Sequence, residues 1–142
     1  MLVKDAMNKK IIVTKPDVTV RDIAKVMTRY RVGSLLVVSN QKLLGIVTEL
    51  DIIWKIVAND MDPKTTLVQD IMTKKVITIK SDKTLEDATH LMVENEIKKL
   101  PVLKNNKLVG IITATDLISV QPKLIEALAK IMLFEEKKFE AG

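Results

Sequence analysis

Two short stretches carry residues that could do chemistry: GIVTELD, Gly45 to Asp51, and GIITATD, Gly110 to Asp116. Each sets a threonine three residues before an aspartate, just after an apolar run. A carboxylate has two acceptor oxygens, enough to take both hydroxyls of a cis-diol such as the one ribose carries. A threonine hydroxyl at the same turn can donate to a phosphate oxygen. The free N–H groups at a helix start favour an anion there. The pair also suits a plainer use, because a threonine N-cap with an acidic partner three residues on closes the start of a helix. The residue types leave both uses open.

Little else in the chain suggests chemistry. There is no cysteine, which removes disulfides, thiolate metal sites and cysteine nucleophiles together. His90 is the only histidine; it aligns with Lys25 of the first half and is expected to be exposed. No Ser-His-Asp set, HExxH, P-loop or glycine-rich dinucleotide loop is found, so neither catalytic nor metal-binding residues are expected. The net charge of +5 permits anionic ligands. Aromatic residues make up only 3% of the chain, too few to offer nucleic-acid bases a stacking surface, and a nucleic-acid partner is not expected. Trp54 suits a core or a dimer interface better than ligand stacking. The seven methionines read as flexible core filler. The N-terminus lacks an apolar h-region and no apolar run approaches a membrane span, so the expectation is a cytoplasmic protein without a membrane partner.

The elements that must position the two motifs follow from an internal repeat. Residues 3–53 lie over residues 68–118 without a gap, and most differing pairs exchange one aliphatic for another. Each copy opens with a β-branched run, KIIVTK or KVITIK, that predicts a strand. Thr19 and Thr84 then predict helix N-caps, with Asp22 and Asp87 as their acidic partners. The first helix is expected to bury Val20, Ile23, Ala24, Met27 and Tyr30. The second should bury Leu85, Ala88, Leu91, Met92 and Asn95. Two strands follow in each copy, joined by tight turns at Ser39-Asn40-Gln41 and Lys104-Asn105-Asn106. The threonine–aspartate motif then leads into a second helix. The predicted order is β-α-β-β-α, twice, an α+β fold packed with pseudo-twofold symmetry. The boundaries are 1–60 for the first repeat, 61–67 for a linker and 68–120 for the second repeat. Residues 121–142 form a C-terminal amphipathic helix and tail, with Leu124, Ile125, Leu128, Ile131, Met132 and Phe139 on one stripe. That helix covers either its own core or a partner.

Taken together, the tandem β-α-β-β-α repeat, the M-x-x-x-x-I opening, the I-x-x-L-P-V middle and the G-I-x-T-x-x-D close resemble a pair of cystathionine-β-synthase-type (CBS) domains. The resemblance covers Val3 to Ile118. It implies a stand-alone regulatory module with two clefts between its repeats, and a homodimer. Its regulatory ligand would be AMP, ADP, ATP or an S-adenosyl compound, with no required cofactor. An unidentified regulated protein would read the state. A ligand-independent interaction module is the alternative. Carried over by the resemblance, Thr48 and Asp51 would face Val76, Ile77 and the segment holding Lys98, Lys99 and Leu100. Thr113, Thr115 and Asp116 would face Ile11, Ile12 and the segment holding Gly33, Ser34 and Leu35. On that grouping the Asp51 cleft would prefer the more highly phosphorylated ligands.

Overall fold

The computed structural model describes residues 1–132. The chain forms two compact units, one of Ile12–Val76 and one of Met1–Ile11 with the chain from Ile77 onward. Each holds a three-stranded sheet and its helices, the α+β arrangement expected from the repeat.

In the unit 12–76, β1 (Val13–Thr14) runs parallel to β2 (Ser34–Ser39), which is antiparallel to β3 (Lys42–Thr48). The crossover helix, which we number α2 because a short α1 precedes it in the other unit, spans Val20–Tyr30. Thr19 caps it, its Oγ1 accepting the Asp22 N–H at 3.3 Å. Val20, Ile23 and Met27 are buried, at the spacing of one helix face. Tyr30, expected on that face, is exposed. It is the last helical residue before Arg31 turns the chain away at φ 52°, and the Arg29 guanidinium stands over its ring. The β2–β3 turn uses Asn40 and Gln41, both with positive φ, the two-residue geometry whose twist matches a hairpin. Beyond β3, α3 (Glu49–Asp51) widens into a π-helical turn over Ile52–Val57.

The second unit repeats this plan with β4 (Ile79–Lys80), α4 (Leu85–Asn95), β5 (Lys99–Lys104), β6 (Lys107–Thr113) and α5 (Ala114–Val120). Thr84 and Asp87 cap α4 reciprocally, each bond 3.1 Å long. Asn95, expected inside, is exposed at the end of α4, next to the left-handed Glu96. A further helix over 125–132 places Leu128 and Ile131 in this unit's core, while Ile125 and Met132 are exposed. Phe139 lies outside the described residues.

The units do not follow the repeat boundaries. The opening segment of the first repeat, α1 (Val3–Ala6), belongs to the unit of the second: Val3 enters the core beside Leu85 and Leu117, and its N–H donates to Lys83 at 2.8 Å. Correspondingly, Val68 enters the core of 12–76, with its N–H on the Val18 carbonyl at 2.8 Å. Each unit thus combines the body of one repeat with the opening of the other.

Candidate functional site

The glycine of each motif is explained by close approach. Among the described residues no glycine has a positive φ. A Cβ on Gly45 would meet the Thr73 carbonyl oxygen at 2.7 Å and Met72 Sδ at 2.8 Å. On Gly110 it would meet Met7 Sδ at 2.6 Å and the Asn8 carbonyl oxygen at 3.1 Å. The opening segments cross the last strands there, and Ile46–Thr73 and Asn8–Ile111 each exchange two backbone hydrogen bonds. Only glycine leaves room for that crossing.

Three residues on, strand becomes helix. Thr48 Oγ1 accepts the Asp51 N–H at 3.2 Å, and the Thr48 N–H donates to Asp51 Oδ2 at 2.9 Å. The Thr48 hydroxyl donates to the same Oδ2 at 3.2 Å, so its proton is committed to the carboxylate and not offered to a phosphate. Asp51 Oδ1 pairs with Lys55 Nζ at 3.1 Å, and that ammonium also donates to the Ile71 carbonyl at 2.6 Å. The Asp51 carboxylate is buried and fastened on both sides. Thr113 and Asp116 build the same reciprocal cap, with bonds of 3.0 and 3.1 Å. Two things differ there. Asp116 is half-buried, and Val120 stands four residues on where Lys55 stands in the first copy, so the next helical turn brings no cation. Both motifs are therefore helix caps first, and the second carboxylate is the less committed.

Within its own unit, each motif has neighbours other than those the resemblance groups with it. An antiparallel hairpin sets the start of one strand against the end of the next. Lys99 is therefore the ladder partner of Thr113, and the Ala114 N–H donates to the Lys98 carbonyl at 2.8 Å. In the other hairpin Ser34 pairs with Thr48, and the Glu49 N–H donates to Gly33 at 2.9 Å. The two lysines thus belong with Thr113, Thr115 and Asp116, and Gly33 and Ser34 with Thr48 and Asp51. Leu35 and Leu100 are core residues with fully buried side chains. Thr115 is exposed on the first turn of α5. Ile11, Ile12, Val76 and Ile77 lie in irregular chain ahead of β1 and β4; Ile12 packs on the core of 12–76, and Ile77 is exposed. Sequence reasoning missed Lys55, although an aspartate followed by a lysine four residues later is a legible helical pair. Among the described residues no group of three or more His, Asp or Glu side chains could hold a metal, and no helix is long and apolar enough to cross a membrane.

Comparison with known proteins agrees with this architecture. The family model for the CBS domain matches residues 3–58 and again 68–123. The chain is 33% identical over 115 residues to the CBS domain-containing protein YhcV of Bacillus subtilis, covering 81% of each. It is similar to a protein with CBS domains from Burkholderia ambifaria, at 32% identity and a TM-score of 0.73, over 86% of this chain and 95% of that one. It is also similar to the CBS domain pair of protein MJ0100, solved in complex with 5′-methylthioadenosine and S-adenosyl-L-methionine. There the identity is 28% and the TM-score 0.70, over 84% of this chain and 94% of that one.

Proposed function

Because this chain belongs to the CBS domain family, we propose that it is a regulatory module whose ligand is an adenosine derivative, either an adenine nucleotide or an S-adenosyl compound. The carrying observation is the corner where β6 meets α5. A half-buried carboxylate with no cation on its next helical turn stands there beside Lys99, which opens β5, and Lys98 just ahead of that strand. In this reading Asp116 accepts the ribose hydroxyls, while Lys98 and Lys99 attract phosphate groups. The other corner is less suited to a charged ligand, because Lys55 already holds Asp51 and its neighbours Gly33 and Ser34 are uncharged. The more highly phosphorylated ligands therefore go to Asp116, the reverse of the preference expected from the first grouping. The ligands of the MJ0100 pair support the adenosine class. Binding favours one of two states of a homodimer, and a regulated protein reads the difference; this requires unequal affinity for the two states.

Calorimetry with AMP, ADP, ATP and S-adenosylmethionine tests the proposal. Asp116→Ala should weaken the best ligand by roughly ten- to a hundred-fold, the value of a hydrogen bond to a charged group. Changing Lys98 and Lys99 together to alanine should weaken ATP more than AMP. If the wild-type protein binds none of the four compounds, the module is an interaction domain that needs no ligand.

A further inference from the structure

The same unit has a second basic feature at the far end of its sheet. A cleft of about 950 Å³ opens where α1, the β4–α4 connection and the β5–β6 turn come together, and Lys4, Lys80, Lys83 and Lys104 line it. Ser81 gathers these four. Its N–H donates to the Leu103 carbonyl and its carbonyl accepts the Lys4 N–H, both at 3.0 Å. The backbones carrying the lysines are thereby fixed, and Ser81 is itself buried. The floor is apolar, from Ile79, Leu91 and Leu103, and the turn residues Asn105 and Asn106 add hydrogen-bonding groups.

The internal duplication supplies a control for whether the fold needs those charges. The unit 12–76 has the same backbone at this place: the Gln69 N–H donates to Pro16 at 3.1 Å as the Lys4 N–H does to Ser81. The residues matching the four lysines there are Gln69, Lys15, Val18 and Ser39, only one of them cationic. The fold therefore stands without the cluster. Gathering like charges at one cleft raises the free energy of the empty state. The acidic residues at the cleft offset only part of this. Asp82 and Asp87 leave an excess of positive charge, and Asp87 is occupied in capping α4. Hydrogen bonds from Thr84, then the charges of Lys83 and His90, hold its carboxyl below the usual carboxylate range. His90 itself lies beside Glu94.

We infer that this cleft is a second ligand site, for a small, multiply charged phosphate compound, formed by Lys4, Lys80, Lys83 and Lys104 around Ser81. It is distinct from the corner at Asp116. Lys104 and Lys99 are at opposite ends of β5, about 17 Å apart at 3.3 Å per residue. The dimensions fit a drug-sized or metabolite-sized ligand, and the apolar floor suits a compound with an uncharged body behind its phosphates.

Inorganic triphosphate is the probe, titrated into the full chain at physiological ionic strength and followed residue by residue in amide NMR spectra. Saturable shifts at Lys4, Ser81, Lys104 and Asn105 are expected, lost by about tenfold or more in affinity when Lys80 and Lys104 both become alanine. The Asp116→Ala variant should retain them. Both lysines are exposed, so the double variant should keep its fold, and its unchanged amide dispersion would verify that. Three outcomes overturn the proposal: shifts confined to Thr113–Asp116, shifts spread over all lysines without saturation, or an affinity that falls less than twofold in the double variant. Tight, steeply salt-dependent binding of duplex DNA without saturable triphosphate binding also overturns it, since it marks a nucleic-acid surface instead.

Discussion

At the scale of single residues, the two aspartates share a motif and differ in their commitments. Asp51 accepts from Thr48 on one oxygen and from Lys55 on the other, and Lys55 ties the assembly to the Ile71 carbonyl. Asp116 caps its helix without that ammonium one turn on. Removing a capping side chain costs about 1 kcal/mol. Removing one member of a buried ion pair costs more, because the partner loses its counter-charge. The Lys55 side chain is 43% exposed, so that extra loss is discounted for solvent screening. Asp51→Ala should therefore lower unfolding stability by about 2 kcal/mol and Asp116→Ala by about 1 kcal/mol. Urea denaturation of the two variants beside the parent measures both. Equal losses would mean that Lys55 adds nothing to the first corner.

At the scale of elements, the glycine and the methionine of the motif are two halves of one contact. Met72 lies against Gly45, and Met7 against Gly110, where the opening segment of the opposite repeat crosses the last strand. Adding a methyl group to a packed crossing costs about 1–3 kcal/mol. Gly45→Ala should cost more than Gly110→Ala. The first clash is with a backbone carbonyl at 2.7 Å, the second chiefly with a thioether that can rotate away. Thermal melts of the two variants test the order, and Met7→Ala should partly rescue Gly110→Ala but leave Gly45→Ala unaffected. These crossings also mark where sequence reading stopped. The strands, the capped helices and the turns at Asn40 and Asn105 were legible, because periodicity, caps and turn residues are local signals. Pairing Lys99 with Thr113 was legible too, since a two-residue turn fixes the register of a hairpin. The exchange of opening segments was not legible. Val3 and Val68 are equivalent residues, and nothing local distinguishes packing on one's own repeat from packing on its twin.

At the scale of the whole molecule, the helical segment after the first motif leaves an apolar surface uncovered. Leu50, Ile53, Trp54, Val57 and Met61 are all exposed, Trp54 by 62% and Val57 by 66%. The π-helical turn explains which side they take. The Ala58 N–H reaches back five residues to the Ile53 carbonyl, and the same five-residue step puts both Asp51 and Ile56 inside. Ile53 and Trp54, between those two buried positions, face outward, while Ile52 packs on the core. Trp54 is thus excluded from the core of its unit, which leaves an interface as the favoured of its two remaining sequence-based roles. Large apolar side chains contiguous on a surface mark an interaction site, and a tryptophan buries 150–250 Å² when it is covered, by the general scale for aromatic residues. The proposed homodimer supplies a partner with the same stripe. Charged replacements there, Trp54→Glu with Val57→Lys, should convert a dimer to a monomer in sedimentation equilibrium and leave the amide spectrum of the second unit unchanged. A parent protein that sediments as a monomer at every concentration would remove self-association from the proposed mechanism, and a charged variant that stays dimeric would move the interface away from this helix.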